Sequence, residues 1–262
     1  MLGFGGLSGL HMTPDLRLTA ISDRGHFAEM ALSLDEAWRP RRLDLIHSGR
    51  LRNVRGRPLT GSGQDAEALA RLPDGSWLIG FERWHRIQRH RRLDGPGEML
   101  DAPPGLDRSP RNASLETLVV LGDGRWMVLS EGLAAPKVGR MGWIGRPGDW
   151  HGFSYLPASD HVPVDAAALP DGGALVLERS FGLLAGFAGR LVRLSPAALR
   201  AASAGGLVEG EVLVPLVPPL PTDNYEGVAV TEREGRVLVA LVSDDNDSLW
   251  QRSLVLLFEM PA

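Results

Sequence analysis

The chain has 262 residues, 44% hydrophobic and 23% charged, with a formal net charge of −4; there is no basic excess to collect a phosphate backbone, so nucleic-acid binding is not expected. It has no cysteine, which excludes disulfides, thiolate metal sites and cysteine nucleophiles together. No apolar run approaches the roughly 18 residues of a membrane span, and the opening MLGFGGLSGL has neither the basic nor the continuous apolar region of a signal peptide.

In chain order, five related segments follow one another: LSGLHMTPDLRLTAISDRG from Leu7, AEALARLPDGSWLIGFERW from Ala66, LETLVVLGDGRWMVLSEG from Leu115, VDAAALPDGGALVLERSF from Val164 and YEGVAVTEREGRVLVALVSDDN from Tyr225. Each is an apolar run, a turn built on Asp-Gly or a near relative, and a second apolar run, which is the pattern of a β-hairpin. The turns at 15, 74, 123, 171 and 234 are spaced by 59, 49, 48 and 63 residues. Units of about 40–50 residues with several strands each predict an all-β, single-domain β-propeller over residues 1–262. Five blades are expected, and the two longer spacings leave room for a sixth.

Outer strands are predicted after each hairpin: HFAEMALSLD from His26 and RRLDLIHSGRL from Arg41 in the first unit, GRLVRLSPAAL from Gly189 and LVEGEVLVPLV from Leu207 in the fourth. The basic run RWHRIQRHRR from Arg83 reads as solvated strand rather than as a nucleic-acid patch. The last unit has only SLVLLFEM from Ser253, so its fourth strand is expected from the N-terminus, with residues 1–4 poorly anchored or preceded by more chain. Small residues (Gly9, Ala68, Thr117, Ala166, Gly227) open the inner strands, as expected where strands crowd an axis. The near-continuous apolar runs argue for sheets covered on both faces, against a β-sandwich with internal repeats.

Oxygen-bearing side chains flank every hairpin. Ser8, Glu67, Glu116, Asp165 and Glu226 stand before the turns, and Asp23, Glu82, Glu131, Glu178 and Asp244 stand 15, 15, 15, 13 and 18 residues later. Each midpoint falls on the turn, so each pair is predicted to lie across its hairpin at the end opposite the turn. Asp65, Asp223, Asn224, Asp245 and Asn246 lie nearby in sequence. Crowded carboxylates repel and need compensation. Arg24, Arg83 and Arg179 supply part of it, and a hard cation such as Ca²⁺, which takes about six to eight oxygen ligands, is expected to supply the rest. The competing expectation is that these acids cap backbone N–H groups and pair with arginine without metal. Other chemistries fare worse: Gly6-Leu7-Ser8-Gly9-Leu10 lacks the second glycine of a nucleophile elbow, the only lysine is Lys137, and the seven histidines are scattered, with His85 and His161 within reach of the rim but expected to be structural.

The motifs GGLSGL (from Gly5), ISDRG (Ile21), DAEALA (Asp65), FERWHRI (Phe81), LPDG (Leu169) with LERSF (Leu177), DNYEGVAV (Asp223) and SDDN with QRSLVLLFE (Gln251) together resemble the phytase-like domain, also called the esterase-like activity of phytase family. The resemblance runs from about Gly5 to Glu259 and implies a bacterial, exported propeller that hydrolyses ester or phosphoester bonds. NASLETL from Asn112 departs from the Asn-x-Gly-Leu-Glu type expected in the third repeat but keeps Glu116. On this basis Ca²⁺ held by some of Glu67, Glu116, Asp165, Glu226 and Asp244 is expected to polarise a small anionic ester. Arg83 and Arg179 would clamp the anion, and water activated by the metal or by Asp23 or Glu82 would attack. A monomer is expected. The alternative class is a non-catalytic propeller that binds a ligand or protein at its channel mouth.

Overall fold

The computed structural model describes residues 5–158, 160–182, 186–246 and 251–260. The expectation for residues 1–4 lies outside them. The first blade is β1 (Leu7–Met12), β2 (Arg17–Ser22), β3 (His26–Leu34) and β4 (Pro40–Arg50), paired in that order. The second is β5 (Ala66–Arg71), β6 (Trp77–Phe81), β7 (Arg86–His90) and β8 (Gly97–Leu100). The third is β9 (Leu115–Val120), β10 (Trp126–Ala134), β11 (Arg140–Arg146) and β12 (Asp149–Tyr155). The fourth opens with β13 (Val162–Ala168), β14 (Ala174–Gly182) and β15 (Gly186–Leu194). The chain then forms α1 (Pro196–Ser203) and β16 (Leu207–Val208), and returns as β17 (Glu211–Leu216) to complete that blade. The fifth is β18 (Asn224–Arg233), β19 (Arg236–Asp244) and β20 (Val255–Met260). Five blades account for the strands among the described residues, and the long spacings hold the 51–65 loop in one case and α1 with β16 in the other rather than a sixth.

Two predicted strands change role. The SPAAL stretch is the start of α1, because Ser195 caps it by accepting the Ala198 N–H and Pro196 favours its first turn. Leu207–Val208 leaves its own blade and pairs in parallel with β12, adding a fifth strand to the third blade. The basic run is only partly solvated: Ile87, Gln88 and His90 of β7 are buried. Among the described residues the fifth blade has three strands, and the N-terminal fourth strand expected from sequence is not among them.

Five apolar clusters fill the five seams between neighbouring blades. One is Leu10, Leu18 and Met30 of the first blade against Leu238, Ala240 and Val242 of the last, so the ring closes by side-chain packing. This is why both faces of each inner strand are apolar. The tight turns use left-handed backbone at Gly75, Gly124, Gly172 and Gly235, and Leu16 adopts a φ of 60° where the first hairpin lacks the glycine.

Crowding at the axis is measurable at Gly9. A Cβ there would lie 2.8 Å from the Leu69 backbone N and 2.9 Å from the Leu69 Cβ. Gly9→Ala is expected to cost about 1–3 kcal/mol, read from chemical denaturation; an unchanged midpoint would mean that the strands part easily.

Candidate functional site

The ends of the inner strands opposite the turns meet at one mouth, and a β-bulge recurs there in every blade. Register breaks between Leu7 and Gly9, Ala66 and Ala68, Leu115 and Thr117, Pro163 and Asp165, and Tyr225 and Gly227. The bulged residue is therefore Ser8, Glu67, Glu116, Val164 or Glu226. A bulge inserts one unpaired residue and re-aims its side chain, so these positions form an inner ring. The next paired position on the second strand forms an outer ring: Asp23, Glu82, Glu131, Arg179 and Asp244. Backbone bonds Asp23 N to Gly6 O, Glu82 N to Asp65 O and Glu131 N to Ser114 O fix that equivalence, as do the pairs Val162–Arg179 and Asn224–Asp244.

This corrects the fourth blade of the sequence prediction. Its 13-residue spacing puts Asp165 and Glu178 each one residue away from the ring positions, which belong to Val164 and Arg179. Asp165 is fully buried and points its carboxylate at backbone instead. It accepts the N–H groups of Ala166 and Val228, each at 2.8 Å, and that of Leu10. One side chain thereby joins the inner strands of the fourth, fifth and first blades. Burial raises its pKa well above the usual carboxylate range against the pull of those donors. Glu178, also fully buried, accepts the Tyr155 hydroxyl at 2.5 Å and Arg190 Nε at 2.6 Å, tying the third blade to the fourth.

The remaining acids do converge. Carboxylate oxygens of Asp65, Glu67 and Glu82 lie within 4.8 Å of one another. Glu82 accepts the Ser114 N–H at 2.6 Å and shares a hydrogen bond with Glu116, which requires a proton on one of the two. Burial first, then neighbouring carboxylates, hold Glu67 and Glu116 well above the usual range. Glu226 is pushed up to about 7 by burial, with Arg179 opposing, and Asp23 to about 6 by burial and the charge of Asp244. Asp244 accepts the N–H groups of Gly6 at 2.6 Å and Asn246 at 3.0 Å. One buried oxygen of Asp23 accepts no hydrogen bond, although Arg24 Nε stands 3.8 Å away.

The arginines are committed to these acids. Arg179 reaches Glu131 at 3.4 Å, Asn224 at 2.6 Å and Glu226, bridging the third and fifth blades. Arg83, in left-handed backbone with a φ of 56°, pairs with Asp65 at 2.5 Å. Asp223 holds Arg252, and Asp245 accepts from Ser253, so both fasten the loop before β20. His85 lies 3.2 Å from the Ser109 carbonyl and His161 2.8 Å from Asp160, neither of them within the carboxylate cluster. Beside Arg179 and Glu226 the mouth widens into a cavity of about 500 Å³. Inside the propeller lies a cavity of about 110 Å³ whose walls include Leu10, His11, Leu69, Arg71, Leu118 and Ala229.

The donors fit a hard cation: they are all oxygen, several share one locus, and an orphaned Asp23 oxygen lies at the same mouth. The set closest together is Asp65, Glu67 and Glu82. Asp65 stood only among the neighbours in the sequence, and its value lies in pairing with Glu82 beside the bulge.

The family model for phytase-like proteins, described as esterase-like activity of phytase, matches residues 2–247. The chain belongs to this family. Comparison with curated proteins finds no match. Among solved structures, the PQQ-bound form of an aldose sugar dehydrogenase from Streptomyces coelicolor is 14% identical with a TM-score of 0.50, covering 98% of this chain and 95% of that one. A proposed gluconolactonase is 14% identical with a TM-score of 0.50, covering 97% and 78%. A Leishmania major protein is 11% identical with a TM-score of 0.51, covering 98% and 85%. At such identities the likeness of this phytase-like chain to them is one of fold. No helix among its described residues is long and apolar enough to cross a membrane.

Proposed function

We propose that this phytase-like protein hydrolyses ester or phosphoester bonds at the mouth of its channel, with Ca²⁺ held by Asp65, Glu67 and Glu82. The observation that carries this is the carboxylate trio, its oxygens within 4.8 Å of one another, adjoining the hydrogen-bonded Glu82–Glu116 pair at the channel mouth. Two carboxyl groups in unlike protonation states can act as base and acid in one site. The ionised member takes a proton from water as the water oxygen bonds to the acyl carbon or phosphorus. The protonated member gives its proton to the alcohol oxygen as the ester bond breaks. Calcium, when bound, would supply charge stabilisation for the oxygen that gains electrons. Glu226, Asp244 and Asp23 surround this locus and set its field. Asp165 serves as a latch rather than a ligand, and Arg179 balances carboxylates rather than clamping an anion.

Calcium titration by calorimetry with ester hydrolysis tests the proposal. Glu67→Gln is expected to weaken calcium binding at least tenfold, and Glu82→Gln to lower kcat by about 10²–10⁴. Calcium binding with no turnover of any carboxylic or phosphate ester would leave a binding propeller, the alternative class.

A further inference from the structure

The cavity beside Arg179 has an aromatic wall unlike the rest of the mouth. Phe181 and Phe187 are directly paired across the β14–β15 ladder, with ring centroids 4.8 Å apart. Phe181 is 60% exposed, although it is a large apolar side chain. It lies two residues after Arg179 on the same strand, so both project on one side of the sheet. The aromatic pair is therefore aimed into the space that Glu131, Glu226 and Asn224 line.

The polar side of the cavity rejects negative charge. Glu131, Asp160 and Glu226 line it beside Arg179, while Asp23, Asp65, Glu67, Glu82, Glu116 and Asp244 lie at the same mouth with Arg24 and Arg83. Each arginine already has a carboxylate: Asp23 for Arg24, Asp65 for Arg83, and Glu131 with Glu226 for Arg179. A phosphate in this cavity would have to displace Arg179 from Glu131 and Glu226 and would lie beside those acids and Asp160. An uncharged ester avoids that cost and gains contact with the phenylalanines.

From this we infer that the substrate is an uncharged carboxylic ester or lactone whose apolar group, aryl or acyl, packs on Phe181 and Phe187. The inference rests on the hydrolase assignment above and departs from the anionic ester expected from sequence. The reaction adds water across the acyl C–O bond and releases an alcohol, a carboxylate and a proton; no other reactant is needed.

Rates with phenyl acetate, ethyl acetate and phenyl phosphate, compared in the wild-type protein and in Phe181→Ala and Phe187→Ala, test it. Binding of acetanilide, an uncharged and unreactive analogue, is followed alongside by ligand-observed NMR. Phenyl acetate is expected to be preferred over phenyl phosphate by at least tenfold. The ratio of kcat/KM for phenyl acetate to that for ethyl acetate should fall at least fivefold in Phe181→Ala, with acetanilide binding lost. Since Phe181 is exposed, its variant should fold, and a thermal melt checks this. Acetanilide binding that depends on Phe181, without turnover of any ester, would support the subsite and exclude hydrolysis. Turnover with an unchanged ratio and unchanged acetanilide binding would overturn the subsite and keep hydrolysis. A preference for phenyl phosphate would overturn the uncharged class.

Discussion

Asp165→Ala is expected to destabilise the protein by about 3–6 kcal/mol, because three buried N–H groups lose their acceptor at about 1–2 kcal/mol each. For a chain of this size that is a fall of about 10–20 °C in Tm. The donors are Ala166, Val228 and Leu10, on three different inner strands. The loss should therefore loosen the seams between the fourth, fifth and first blades together, visible as faster amide exchange at Val228 and Leu10. Asp165→Asn keeps an acceptor oxygen but adds buried donors, so it should fall between the two. Thermal melts with and without calcium separate this role from the ligand role expected from sequence. A variant that melts like the wild type without calcium but no longer responds to calcium would restore Asp165 as a ligand and sink the latch.

The calcium-free protein is expected to lose stability as pH rises from 5 to 8. Glu226 moves from an ordinary value of 4.5 to about 7, and Glu67 and Glu116 lie well above theirs. The folded protein then holds protons that the unfolded chain has released. Stability falls as pH climbs from the unfolded value, near 4.5, through the folded one. Glu226 alone, largely buried, accounts for about 3 kcal/mol across that window at about 1.4 kcal/mol per unit. A cation that binds the ionised acids should restore the loss at pH 8. Glu116→Gln, which keeps a hydrogen-bonding group beside Glu82 but no charge, should flatten the dependence. Urea denaturation at pH 5 and pH 8, with and without calcium, measures it. Equal stability at both pH values without metal would mean that the acids are compensated inside the protein already.

Much of this was open to reading along the chain because it is local. Asp74-Gly75, Asp123-Gly124 and Asp171-Gly172 mark turns by backbone sterics, and uninterrupted apolar runs mark strands covered on both faces. The recurrence of such hairpins allows few closed arrangements, which is how the propeller, its blade count and the incomplete last blade could be foreseen. The gathering of Glu67, Glu82, Glu116, Glu131 and Glu226 at one end followed from the same symmetry.

Tertiary structure decided what each acid does. A bulge is set by how a strand packs near the axis, and equidistance from a turn cannot detect it; a spacing of 13 instead of 15 looked like one more pair. In the fourth blade the difference sent Asp165 to backbone N–H groups and Glu178 to Tyr155 and Arg190. It also put Arg179 where the other four blades place carboxylates. Asp65 gained its position only through pairing with Glu82, and the Phe181–Phe187 wall only through the pairing of β14 with β15 beside Arg179 and Glu226. The sequence by itself determined the hairpins, their ring and the end at which charge collects, since these depend on local backbone preference and apolar periodicity. Whether a carboxylate faces another carboxylate, an arginine or a buried N–H was decided by a one-residue register step between distant strands, and only packing across the channel fixes that step.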